Sequence, residues 1–250
     1  MNSVGTRTAV LAAAAALLLS ITSCVCVGER VELVDLRTEE HTVDLGDAES
    51  VVIDVEIGVG KLIVKSGSAA LLDAEFTYNV DEWKPAVDYS VAGGKGRLSI
   101  TQPDAAGKSS PKGARNEWVL TFSDDVPLEL SIDMGVGEAR MELGNLMLSD
   151  LSVDHGVGDL KIDLAGRHVG DLNASIDGGV GKIALVVPSS VGVRVEADTG
   201  IGSFRTHGLT KRGDVLVNDA YGETESTIRL SVDAGIGEIT VETSDGTTNM

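Results

Sequence analysis

Aromatic residues are nearly missing from this chain, at 3% of 250 residues, although 42% are hydrophobic. A core of large rings is excluded; whatever packs inside must be Val, Leu, Ile and Ala. Cysteine is scarce too, with two in the whole sequence, which excludes a disulfide framework and a thiolate metal centre. Basic residues are outnumbered, 20 Lys and Arg against 39 Asp and Glu, for a net charge of −19. Such a chain repels phosphate backbones, so nucleic acid is excluded as a partner. It also repels anionic lipid surfaces. The charges alternate with apolar residues, which describes a solvated β surface rather than an acidic tail. Long apolar runs are missing except for one, Ala9 to Ile21, and its 13 residues fall short of the ~20 that span a bilayer.

That run has Arg7 before it and Ile21-Thr22-Ser23-Cys24 at its end. The four residues resemble the bacterial lipobox: an aliphatic residue, two small ones, then the cysteine that is acylated. The expectation is a lipoprotein signal peptide over 1–23, lipidation of Cys24 and a short membrane-proximal segment over 24–44. The alternative is an ordinary secretory signal. Removing 1–23 deletes one charge, Arg7, and moves −19 to −20. Acyl chains at ~0.8 kcal/mol per buried CH2 would attach the protein permanently to a membrane. By analogy with known lipoproteins, Val25 after the cysteine implies the outer membrane in a diderm cell. In a monoderm it would be the outer face of the cytoplasmic membrane. Cys26 follows Val25, where a small residue is wanted, and reads as an unpaired thiol or an intermolecular disulfide partner.

Glycine is in excess, 30 of 250 residues against a usual ~7%, and a repeat accounts for it. Gly58-Val59-Gly60, Gly135-Val136-Gly137, Gly156-Val157-Gly158, Gly179-Val180-Gly181, Gly200-Ile201-Gly202 and Gly235-Ile236-Gly237 are copies of one motif. Their first glycines lie 77, 21, 23, 21 and 35 residues apart. The middle spacings define a unit of about 22 residues; the 35 reads as one unit plus a loop. Each copy lies between alternating stretches, such as Leu151 and Val153 before the third and Leu160, Ile162 and Leu164 after it. Period two means half-buried strands. Paired glycines let a strand turn a corner, with the central Val or Ile expected to point into the core. The fold class is therefore all-β: a β-solenoid of stacked coils, or alternatively a β-sandwich, over residues 45–245 with a tail at 246–250.

Between the first two copies the pattern loosens. Lys95 sits where Val belongs in Gly94-Lys95-Gly96, which reads as a hairpin. Pro103–Asn116 and Thr210–Ser226 read as loops. Asn79, Trp83, Pro85 and Tyr89, then Glu117-Trp118-Val119-Leu120, then Val126-Pro127-Leu128-Glu129-Leu130, resemble the toast-rack family. The ending does as well, with Gly213, Val217-Asn218, Tyr221 and Ile228 leading into the last motif. The chain is similar also to the C-terminal β domain of cell-wall-antibiotic-response regulators and to the related putative-adhesin domains. The resemblance implies an envelope-located β-repeat domain without a defined activity.

Asp133, Asp154, Asp177, Asp198 and Asp233, with Glu56 in the first copy, each stand two residues before the glycine pair. They are expected to act as structural turn acids accepting backbone N–H groups; a cation ladder is the other reading. Gly179-Val180-Gly181-Lys182-Ile183-Ala184 satisfies a dinucleotide string, but it runs strand to strand with no helix to receive a phosphate. His41, His155, His168 and His207 lack metal spacing and read as solvated loop or corner positions. No nucleophile elbow or HExxH is present, so catalytic residues, metals and cofactors are expected to be none. The function expected is a lipid-anchored envelope binding or scaffold module with a protein or glycan partner. Envelope-stress sensing is the alternative. A glycan-binding or carbohydrate-active solenoid comes next and would require Trp83 and Trp118 in an exposed groove.

Overall fold

Strand-forming alternation fills the chain, and the computed structural model, which describes residues 32–103, 111–166 and 168–245, is built almost wholly of strands. They are β1 (Arg37–Val43), β2 (Ser50–Ser66), β3 (Leu72–Tyr78), β4 (Ala86–Ala92), β5 (Lys95–Thr101), β6 (Asn116–Phe122), β7 (Leu128–Glu142), β8 (Leu148–Asp163), β9 (Leu172–Pro188), β10 (Gly192–His207), β11 (Thr210–Arg212), β12 (Val215–Val217) and β13 (Thr227–Ser244). Among the described residues a single 3-10 turn, Asp81–Trp83, interrupts them. β1 lies inside the stretch expected as a membrane-proximal segment and pairs with β3 along its whole length.

Six strands, β2, β7, β8, β9, β10 and β13, run 15 to 18 residues each and carry the six Gly-x-Gly motifs mid-strand. All are parallel and in register, in the order β2-β7-β8-β9-β13-β10. The last two coils are therefore exchanged relative to the chain, and β13 lies between β9 and β10. Each coil is a strand, a corner and a strand, so the stack has two arms that share one aliphatic core. This is a β-solenoid of stacked coils.

The corner works differently from the expected inward-pointing Val. Before it, Leu151, Val153 and His155 face the core; after it, Leu160, Ile162 and Leu164 do. Odd positions are buried on one side and even positions on the other, so the corner inserts one residue out of step, as a β-bulge does. Gly158 supplies the step with φ 138°. Val157 is consequently 47% exposed, and Val136, Val180, Ile201 and Ile236 face outward with it. An alternation count carried straight through the motif misplaces all of them.

The first coil is closed by polar side chains. The amide of Val59, which has no preceding corner to bond, donates to Gln102 Oε1 at 3.2 Å, and Asn116 Nδ2 donates to the Val59 carbonyl at 2.8 Å. Trp118 Nε1 donates to Asn116 Oδ1 at 2.9 Å. Asn116 also donates to Gln102 Oε1 at 3.1 Å, so its side chain serves three partners at once. Asn116→Ala should cost about 3 kcal/mol in urea unfolding, because each orphaned buried group costs about 1–3 kcal/mol. Asn173→Ala, at an exposed position of β9, should change nothing measurable. At the far end the expected Thr210–Ser226 loop contains the β11–β12 hairpin, which covers part of β10. Asn218 fixes it there, accepting from the Val193 amide at 2.9 Å and donating to the Val191 carbonyl at 2.6 Å.

Candidate functional site

In-register stacking turns each position of the repeat into a row running along the solenoid, one rung per strand at ~4.8 Å. The corner yields three adjacent rows. Glu56, Asp133, Asp154, Asp177, Asp233 and Asp198 form the first, in that spatial order. Val59, Val136, Val157, Val180, Ile236 and Ile201 form the second, an aliphatic ridge. Beneath them, on the core side, run Ile57, Met134, His155, Gly178, Ala234 and Thr199. The three rows exist because the glycine corners superpose. A Cβ on Gly158 would overlap the Gly137 carbonyl oxygen, and the same holds for Gly181 against Gly158 and Gly237 against Gly181.

The aspartates line an open groove of about 680 Å³ whose floor is the backbone of Gly135, Gly156, Gly179, Gly200 and Gly235. They do not act as turn acids. Asp133, Asp154, Asp198 and Asp233 accept no hydrogen bond among the described residues, and Asp177 accepts one from Ser175 at 3.4 Å. Their carboxylates face outward because the alternation that buries Val153 and His155 points Asp154 to solvent. The sequence order Asp177, Asp198 is also not the spatial one, since Asp233 intervenes. Among the described residues no group of three or more His, Cys, Asp or Glu side chains is placed to hold a metal ion.

His155 is not a solvated corner residue; it is 4% exposed. Burial pushes its imidazole below the usual value, against an opposing backbone bond to Gly137. His168 is also held low by burial, and its Nε2 meets the Leu164 carbonyl at 2.6 Å. Trp83 and Trp118 are both buried, so neither offers a sugar-stacking surface and the glycan reading loses its required groove. Trp118 instead packs edge-on against Phe76 with ring centres 5.3 Å apart. Sequence reasoning missed the Gln102–Asn116 closure. A polar Asn at an inward position of β6, opening a run that alternates buried and half-buried residues, was its available sign. Cys24, Cys26, the signal peptide and the 246–250 tail lie outside the described residues. Among those residues no helix is long and apolar enough to cross a membrane.

A putative cell adhesion protein from Clostridium sporogenes is 29% identical, with a TM-score of 0.79, over 84% of this chain and 100% of that one. A putative adhesin from Bacteroides fragilis is 17% identical with a TM-score of 0.34, over 82% of this chain and 96% of that one. No curated protein matches the chain. The family described as "N-terminal domain of toast_rack, DUF2154" matches residues 33–186. The chain belongs to the toast-rack family.

Proposed function

We propose that this protein is a lipid-anchored binding module of the bacterial cell envelope, and that it binds through the corner ridge. The observation that carries the reading is the outward row of Val136, Val157, Val180, Ile236 and Ile201. The corner needs its glycines, and it leaves these aliphatic residues between them 46–70% exposed. A contiguous apolar stripe of five or six rungs, roughly 24 Å long at ~4.8 Å per rung, marks an interaction surface when polar residues rim it. Here one rim is the aspartate row. A partner suited to both is an elongated envelope polypeptide that lays apolar side chains on the ridge and basic ones beside it. The similarity to a putative cell adhesion protein supports a non-catalytic binding role.

The expected lipid on Cys24 would hold the module at the membrane once 1–23 is removed. The test uses the full chain as bait in envelope extract. A Val136→Ser, Val157→Ser, Val180→Ser triple variant keeps every core contact and should lose at least tenfold of the captured partner. Retention of the same partners at the same yield would sink the ridge as the binding face. Separately, Cys24→Ala should move the protein from the membrane to the soluble fraction, and unchanged fractionation would disprove the anchor.

A further inference from the structure

The arm after the corner is a nine-strand sheet, β1-β3-β6-β2-β7-β8-β9-β13-β10, and among the described residues no strand covers the outer side of β1 or of the end of β10. Among the described residues β1 pairs with β3 alone, and residues 196–207 of β10 pair with β13 alone. The β11–β12 hairpin reaches only Arg194 and Val195, leaving the end of β10 uncovered. Strand direction makes these two edges compatible. β6 is parallel to β2, β3 is antiparallel to β6, and β1 is antiparallel to β3. β1 therefore runs the same way as β10. A second copy shifted along the stacking axis would offer its β1 to β10 in parallel, as every coil already meets its neighbour.

The charges of the two edges are complementary. Beyond the corner, residues 203–207 of β10 hold Arg205 and no carboxylate, in a chain whose net charge is −19. Arg205 leans on Glu238 of the neighbouring strand. At the opposite edge Glu40 stands directly across from Glu75, on the outward face with Thr38 and Thr42. Like charges facing each other across a pair of strands destabilise it, so this edge favours an added cation. Edge-strand charges commonly guard against self-pairing. Here that guard acts only between like ends, since β10 against β10 opposes Arg205 to Arg205 and β1 against β1 opposes Glu40 to Glu40.

We propose that copies of this chain associate head to tail, the β10 edge of one pairing in parallel with the β1 edge of the next. The register that keeps outward residues outward sets Ser203 beside Thr38, Arg205 beside Glu40 and His207 beside Thr42. The contact is heterologous, so it propagates into rows instead of closing as a two-fold dimer. The interface is distinct from the corner ridge, which stays open along every copy.

Engineered disulfides in the full-length chain, expressed in cells on a Cys26→Ala background, test this. Thr38→Cys combined with Ser203→Cys should give a non-reducing ladder at multiples of the chain mass, and either cysteine alone should give monomer. Adding Arg205→Glu should weaken the ladder at least fivefold, and adding Glu40→Arg to that same chain should restore it. A dimer from Ser203→Cys alone would show a two-fold pairing and overturn the proposal. So would the absence of any ladder, or a ladder indifferent to charge reversal. Thermal melts of each variant, expected to lie with the parent, keep loss of pairing separate from loss of fold.

Discussion

Gly158→Ala should leave the domain unfolded, or at best less stable by about 4 kcal/mol or more, a size reserved for severe steric or strain defects. Two effects act together. Gly158 holds φ 138°, a conformation L side chains rarely adopt. A Cβ there would also overlap the Gly137 carbonyl, which is backbone and belongs to the neighbouring coil. Relief would require sliding one coil away from the next, which breaks the ladder on both arms. Gly170→Ala and Gly222→Ala isolate the first effect, since both glycines have positive φ, 92° and 88°, with nothing near a new Cβ. Those two should cost about 1 kcal/mol each, the scale of local backbone strain. Urea unfolding monitored by circular dichroism measures all three. A Gly158→Ala protein as stable as Gly170→Ala would mean the corners are not stacked as described.

Ile162→Asp and Val157→Asp should differ by several kcal/mol although they lie five residues apart in one strand. Ile162 is fully buried between the arms, and a carboxylate there has no partner. Burying an unpaired charge forces either an uptake of protons or opening of the core, so a loss of about 4 kcal/mol is expected. Val157 projects into solvent on the ridge, and its replacement should stay within roughly 1 kcal/mol, as surface changes do. Comparable destabilisation by both would restore an inward Val at the corner and would remove the basis for a binding ridge.

Much of this fold can be read directly from alternation and spacing. The 21-, 23- and 21-residue intervals mark the stacked coils, and Lys95 in place of Val marks the β4–β5 hairpin. What alternation cannot register is the extra residue at each corner. Counting forward from Val153 by twos puts Val157 inside, whereas counting back from Leu160 puts it outside. That conflict between the two flanks was itself the mark of a bulge, and resolving it needs the positive φ of Gly158. Spatial order was hidden for another reason. An interval of 35 residues fixes how long a connection is, not which side of the stack it returns to. Thus Asp233, not Asp198, sits beside Asp177. The ridge follows from the bulge, so the candidate site was legible as motif positions but not as a surface.

The placement of β13 governs when this domain can become complete. Coils from β2 to β9 pair with strands already made, so they can accumulate in order as the chain emerges. β10 cannot join them in its native place, because the strand between it and β9 is synthesised after it. Its 16 residues must wait, with an unsatisfied backbone, through the β11–β12 hairpin and the segment after it. Closure then demands that β13 enter a gap and pair on both flanks in one step, a non-local event of the kind that slows β folding. A chain cut short before Thr227 loses a central strand instead of a terminal one, stranding two edges with no native partner. β13 acts as a keystone: quality control of the whole domain comes to rest on this one eighteen-residue strand.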